Sequence, residues 1–102
     1  MSHEILDVPA FAVLYKETKF KKILLDIRSP EETSEGTIPG SKLIPLPELE
    51  TRLEELNKEA QIFVFCKSGP RANVAQHILK MEGFEETVVA VNGGFEQLKK
   101  LL

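Results

Sequence analysis

Short apolar runs alternating with amphipathic stretches predict an α/β fold: a three-layer α/β/α sandwich around a mainly parallel sheet of about five strands. Three observations carry that prediction. Ile23-Leu24-Leu25-Asp26-Ile27, Ile62-Phe63-Val64-Phe65 and Thr87-Val88-Val89-Ala90-Val91 are nearly continuous apolar runs of strand length, as strands covered on both faces require. Between them, leucines and other apolar residues recur at intervals of three and four, the spacing of a helix with one buried stripe. The joints carry turn chemistry: Ser29-Pro30, Gly36-Thr37-Ile38-Pro39-Gly40, Pro45, Pro47 and Asn92-Gly93-Gly94.

In chain order, residues 4–8 read as a weak edge strand. Residues 9–17 follow as the first helix, with Pro9 in its opening turn. The run 23–27 is the first core strand, and 41–44 is a second weak edge candidate. Leu46, Leu49, Leu53 and Leu56 form one amphipathic helical stripe facing the sheet. The strand 62–65 precedes a second helix whose stripe is Val74, Ala75, Ile78 and Leu79, closed by Gly83 as a left-handed cap. After the strand 87–91, Phe95, Leu98 and Leu101-Leu102 mark a closing helix. No internal repeat or low-complexity linker interrupts the order.

A length of 102 residues with 42% apolar and 28% charged positions suits a single domain over residues 1–102. A net charge of -3 with no basic block argues against a nucleic-acid partner, and the acids of 48–59 and 82–86 read as solvated faces. No apolar run approaches the roughly 18 residues of a membrane span. Residues 1–5 show no secretion signal, so the expected setting is soluble and cytoplasmic. One cysteine allows no internal disulfide and supplies no resolving thiol.

That cysteine, Cys66, stands where the apolar run 62–65 ends and Lys67-Ser68-Gly69-Pro70-Arg71 begins, just before the helix over 72–81. In a parallel sheet, ligands bind beyond the carboxyl ends of the strands. A thiol becomes a nucleophile as thiolate, and amides, a helix N-terminus and cations all favour that form. The amides of Lys67, Ser68 and Gly69 can curl into an anion nest if Gly69 takes a conformation that other residues resist. Pro70 has no N–H to give, but its fixed φ suits a helix start. Lys67 is the cation nearest the sulfur and the candidate for meeting an incoming anion, and Ser68 is a candidate donor to it. Arg71 can either fold over the loop as a fixed cation or tie it to a carboxylate such as Asp26. The bland reading is a buried core cysteine; the neighbouring Gly, Lys and Arg and the strand-end position favour catalysis.

These residues resemble the rhodanese-like domains over nearly the whole chain. Leu25-Asp26-Ile27-Arg28 with Glu31-Glu32 is similar to that family's first core strand and Asp-x-Arg signature. Gly36-Thr37-Ile38-Pro39-Gly40-Ser41 resembles its Gly-His-Ile-Pro-Gly-Ala turn, and Cys66-Lys67-Ser68-Gly69-Pro70-Arg71-Ala72 its active-site loop. Gly83-Phe84 and Asn92-Gly93-Gly94-Phe95 resemble its last helix-to-strand passage and the turn after it. The resemblance implies a sulfurtransferase of the thiosulfate type, with Cys66 as nucleophile and persulfide carrier and no metal or organic cofactor. The implied partners are a small anionic donor such as thiosulfate, a thiol or cyanide acceptor, or a sulfur-relay protein. Asp26 and Arg28 would brace the loop. A relay or regulatory module with weak small-molecule turnover is the alternative.

Cysteine phosphatases and arsenate reductases share the architecture, but their loop places five residues between Cys and Arg. Here Cys66 and Arg71 enclose one fewer, and Phe65 replaces the histidine that phosphatases commonly carry. Two departures from the rhodanese pattern, Thr37 for the usual histidine and Leu98 near a usual tryptophan, read as structural positions. His3 and His77 lack partners at metal-ligand spacing. Gly93-Gly94 reads as a tight turn, not a phosphate loop.

Overall fold

The computed structural model describes residues 2–102, whose strands are β1 (Ser2–Asp7), β2 (Lys22–Asp26), β3 (Lys42–Leu43), β4 (Gln61–Phe65) and β5 (Glu86–Val91). All pairings are parallel, in the order β1-β5-β4-β2-β3, so β4 lies at the centre. The helices are α1 (Val8–Glu17), α2 (Pro30–Thr33), α3 (Pro70–Met81) and α4 (Phe95–Leu101). Both weak strands of the sequence reading are edges, as expected.

Strand alternation divides the core in two. Ile62, Val64, Leu25 and Val89 pack with Ala72, Ala75 and Leu79 of α3 on one face. Phe63, Phe65, Leu24 and Val88 pack with Phe11 of α1 and with Phe95 and Leu98 of α4 on the other. Phe11 and Tyr15 meet Phe63 edge-on at 5.5 and 5.1 Å between ring centroids, the arrangement their quadrupoles favour. Asp7 caps α1 by accepting the Ala10 N–H at 3.1 Å, with Pro9 inside the first turn. Gly83, at φ 88°, follows α3 in the left-handed conformation the sequence called for.

Two local expectations need correction. The leucine stripe of 46–56 is not one helix but two 3-10 segments, Leu46–Thr51 and Leu53–Glu55. The reason lies in the spacing: Leu46/Leu49 and Leu53/Leu56 are three apart, which a 3-10 helix aligns, and Arg52 at φ -125° absorbs the odd four-residue step. In α3 the buried face is Ala72, Ala75, Gln76 and Leu79, while Val74 is 51% exposed. The sequence also gave no notice of α2, a single turn.

Candidate functional site

The alternation that sends Ile62 and Val64 to the α3 face sends Cys66 there too, one step beyond β4. Its side chain is buried, 1% exposed, with the first turn of α3 close by. The Gly69 amide donates to the sulfur at 3.0 Å. Gly69 can do so because φ is 120°, and a Cβ there would come within 3.2 Å of the Val91 Cα. Pro70 then opens α3 and Asn73 N–H returns to the Gly69 carbonyl at 3.1 Å, so the helix's positive end lies beside the thiol. Lys67, Ser68 and Pro70 are exposed. Of the nest foreseen from three amides, the one that reaches the sulfur is that of Gly69.

Beneath the loop lies the turn between β5 and α4. Phe95 N–H donates to the Cys66 carbonyl at 2.9 Å, and Gly93 N–H approaches the Ser68 carbonyl at 3.4 Å. A Cβ on Gly94 would sit 2.0 Å from the Cys66 carbonyl oxygen and 2.8 Å from that of Lys67. Gly94 has φ -179°, open to any residue, so space alone demands glycine there. Sequence reasoning saw a tight turn but missed this contact, because nothing in the local pattern pairs residue 94 with residue 66.

Two ion pairs shape the surroundings. Asp26, fully buried, accepts from Arg28 Nε and Nη2 at 3.1 and 2.9 Å and from the Arg28 amide at 3.0 Å. Arg28 also donates to the Gly36 carbonyl at 2.8 Å and stacks 3.7 Å from the Phe95 ring centroid. The pair therefore braces the 36–40 turn and the start of α4, and reaches the loop only through Phe95. Asp26→Ala leaves a buried guanidinium without its counter-charge and should cost about 3–5 kcal/mol, read as a lowered urea midpoint.

Arg71 grips a carboxylate, but it is Glu32 and not Asp26: Nη1 and Nη2 donate to Oε1 and Oε2 at 2.6 and 2.9 Å. Geometry decides this, since Asp26 is already saturated by Arg28 on the other face of the sheet. Glu32 also accepts from the Ser29 amide at 2.9 Å, closing a capping box on α2. The Ser29-Pro30-Glu31-Glu32 spacing was the available signal for this residue. The Arg71 guanidinium, with Ser29 adding to it, holds the Glu32 carboxyl down to about 2. A lowered folded-state pKa stabilises the protein above the unfolded value of 4.5, and that gain disappears as pH falls towards 2. For a partly exposed pair it is on the order of 1 kcal/mol. Urea midpoints of the native chain and Glu32→Gln should therefore differ at pH 6 and converge near pH 2.

Beside the loop is a cavity of about 260 Å³, walled by Arg28, Glu32, Glu35, Lys67, Phe95, Glu96 and Lys99. Lys67 makes no ion pair among the described residues, whereas Arg28, Arg71 and Lys99 are each engaged. Cys66 lies under the loop and not on this wall. Leu98 is core, as expected of a structural position, but Thr37 is exposed and packs no interior. His77 is exposed; His3 bonds through Nδ1 to Thr87 Oγ1 at 2.8 Å.

Sequence and structure comparisons place these features among known proteins. A Bacillus subtilis protein named "Putative sulfur carrier protein YrkF" is 40% identical over 70 residues, 69% of this chain and 38% of that protein. A protein of Allochromatium vinosum named sulfurtransferase is 32% identical over 72 residues, 71% of this chain and 66% of its own length. The chain thus spans less than two thirds of either relative. The crystal structure of a rhodanese-like domain protein from Staphylococcus aureus superposes with a TM-score of 0.77 at 28% identity, covering 96% of this chain and 91% of that one. No helix among the described residues is long and apolar enough to cross a membrane. With the parallel sheet, the thiol at the end of its central strand and a match of the rhodanese-like domain model to residues 11–101, the chain belongs to the rhodanese-like domain family.

Proposed function

We propose that this chain is a sulfurtransferase that carries a sulfane sulfur as a persulfide on Cys66, taking it from thiosulfate or a persulfide donor. The observation that carries the reading is the Gly69 N–H aimed at the Cys66 sulfur from the first turn of α3, at the carboxyl end of the central strand. A buried donor of this kind stabilises negative charge on the inner or outer sulfur, as an oxyanion hole does for oxygen. The four-residue interval between Cys66 and Arg71 suits a single sulfur better than a tetrahedral oxyanion.

In the first step the Cys66 thiolate forms a bond to the outer sulfur of thiosulfate. The bond between that sulfur and the sulfonate breaks, and its electron pair leaves with sulfite. In the second, an acceptor thiolate attacks the outer sulfur of the protonated persulfide; the S–S bond breaks and Cys66 regains its electron pair as thiolate. This is covalent catalysis in two halves and needs no external oxidant. Lys67, exposed and outside any ion pair among the described residues, meets the incoming anion, and the Ser68 hydroxyl donates to it. Arg71, held by Glu32, fixes the loop's exit into α3; Asp26 and Arg28 hold its floor through Phe95.

Incubation with thiosulfate should add one sulfur mass to Cys66 and yield thiocyanate on addition of cyanide. No added mass with thiosulfate or with any persulfide donor refutes the reading. A carrier role is the second reading, favoured by the name of the Bacillus subtilis relative. It predicts loading by a cysteine desulfurase persulfide but not by thiosulfate.

A further inference from the structure

A concavity of about 620 Å³ lies at the end of the sheet opposite Cys66. It is formed where the chain enters β2, β4 and β5, by Lys19, Phe20, Lys21, Glu59, Gln61 and Glu86. Phe20 is 87% exposed, the most exposed large apolar side chain described. None of Lys19, Lys21, Glu59 and Glu86 takes part in an ion pair among the described residues. One patch thus presents an apolar knob beside a hollow, with two cations and two anions outside any ion pair among the described residues.

Their placement follows from strand register. Lys22 pairs with Gln61 and Gln61 with Glu86, so the basic entry to β2 and the acidic entry to β5 flank β4 on either side. With about 4.8 Å between strands, the two charged flanks lie roughly 10 Å apart, centred on Gln61. A two-fold axis just beyond Gln61, normal to the sheet, sets a second copy end to end with the first. It brings the Lys21 flank of each copy opposite the Glu86 flank of the other, twice. The same operation carries Phe20 of each copy towards the other's hollow.

We infer that this floor of the sheet is a self-complementary interface through which two copies of the chain associate as a weak two-fold dimer. Self-complementarity is what an isologous contact requires, and a patch with balanced charges fits a copy of itself better than a uniformly acidic or basic partner. The small area, with one aromatic anchor per copy, places the dimer among transient associations. Both Cys66 loops face outward at the far ends, so association leaves each site open.

Sedimentation equilibrium of the full chain over a micromolar to millimolar range tests this. The average mass should rise towards that of two chains. Phe20→Ala should raise the dissociation constant by about tenfold. Lys21→Glu and Glu86→Lys should each weaken association about threefold or more, and the double variant should recover it, because each new charge then meets its opposite across the axis. All three side chains are solvent-facing, and circular dichroism verifies that the variants fold. A single-chain mass at every concentration overturns the inference, as does a dimer indifferent to Phe20→Ala and to the charge exchange.

Discussion

Cys66→Ser should abolish persulfide formation and lower sulfur transfer by more than about three orders of magnitude while leaving the fold intact. A serine hydroxyl still offers the Gly69 amide an acceptor in place of the sulfur at 3.0 Å, so no buried donor is orphaned. Its oxygen, however, is a poor nucleophile near neutral pH and forms no persulfide. The stability change should stay near 1 kcal/mol, because the substitution is close to isosteric in a site that is 1% exposed. Mass spectrometry after thiosulfate treatment, paired with urea unfolding, separates the two effects. Residual transfer by a folded serine variant would move the chemistry away from Cys66.

Gly94→Ala should be the most damaging single methyl group in the chain. The added carbon would stand 2.0 Å from the Cys66 carbonyl oxygen and 2.9 Å from its carbonyl carbon, and backbone atoms cannot swing aside as a side chain can. Either the β5–α4 turn or the loop must move, breaking the Phe95 N–H bond to Cys66 and shifting the Gly69 amide off the sulfur. The expected cost is about 2–4 kcal/mol, with a fall of roughly 10–25 °C in Tm for a domain of this size. Persulfide loading should fall in the fraction that remains folded. Gly40→Ala is the contrasting variant, since a Cβ there meets nothing within 4 Å and the cost is the strain of φ 86° alone.

The outline of the fold was legible because burial on both faces leaves a plain mark: 23–27, 62–65 and 87–91 are apolar throughout, and each is a strand. Cys66 was legible as the point where such a run meets Gly and Pro at a helix start. The 46–56 segment was misread because a three-four-three leucine spacing serves a long α-helix and two 3-10 turns equally well. The choice lies with Arg52, which bonds Glu48 and Glu55 across the break. Sequence alone does not choose the partner of Arg71, because Asp26 and Glu32 are both carboxylates at plausible separation. Only the alternation of β2, which turns Asp26 to the face opposite α3, leaves Glu32 as the one in reach.

The order of the strands and of the three longer helices, the position of the single thiol and the length of the loop after it were determined by the sequence alone, since each depends on residues adjacent in the chain. Tertiary structure decided what closes around that thiol: which amide reaches it, which carboxylate holds Arg71, and why residue 94 carries no side chain. The last two outcomes depend on approaches between segments 39 and 28 positions apart. Their distances are set by the packing of layers, and pattern along the chain carries no record of them.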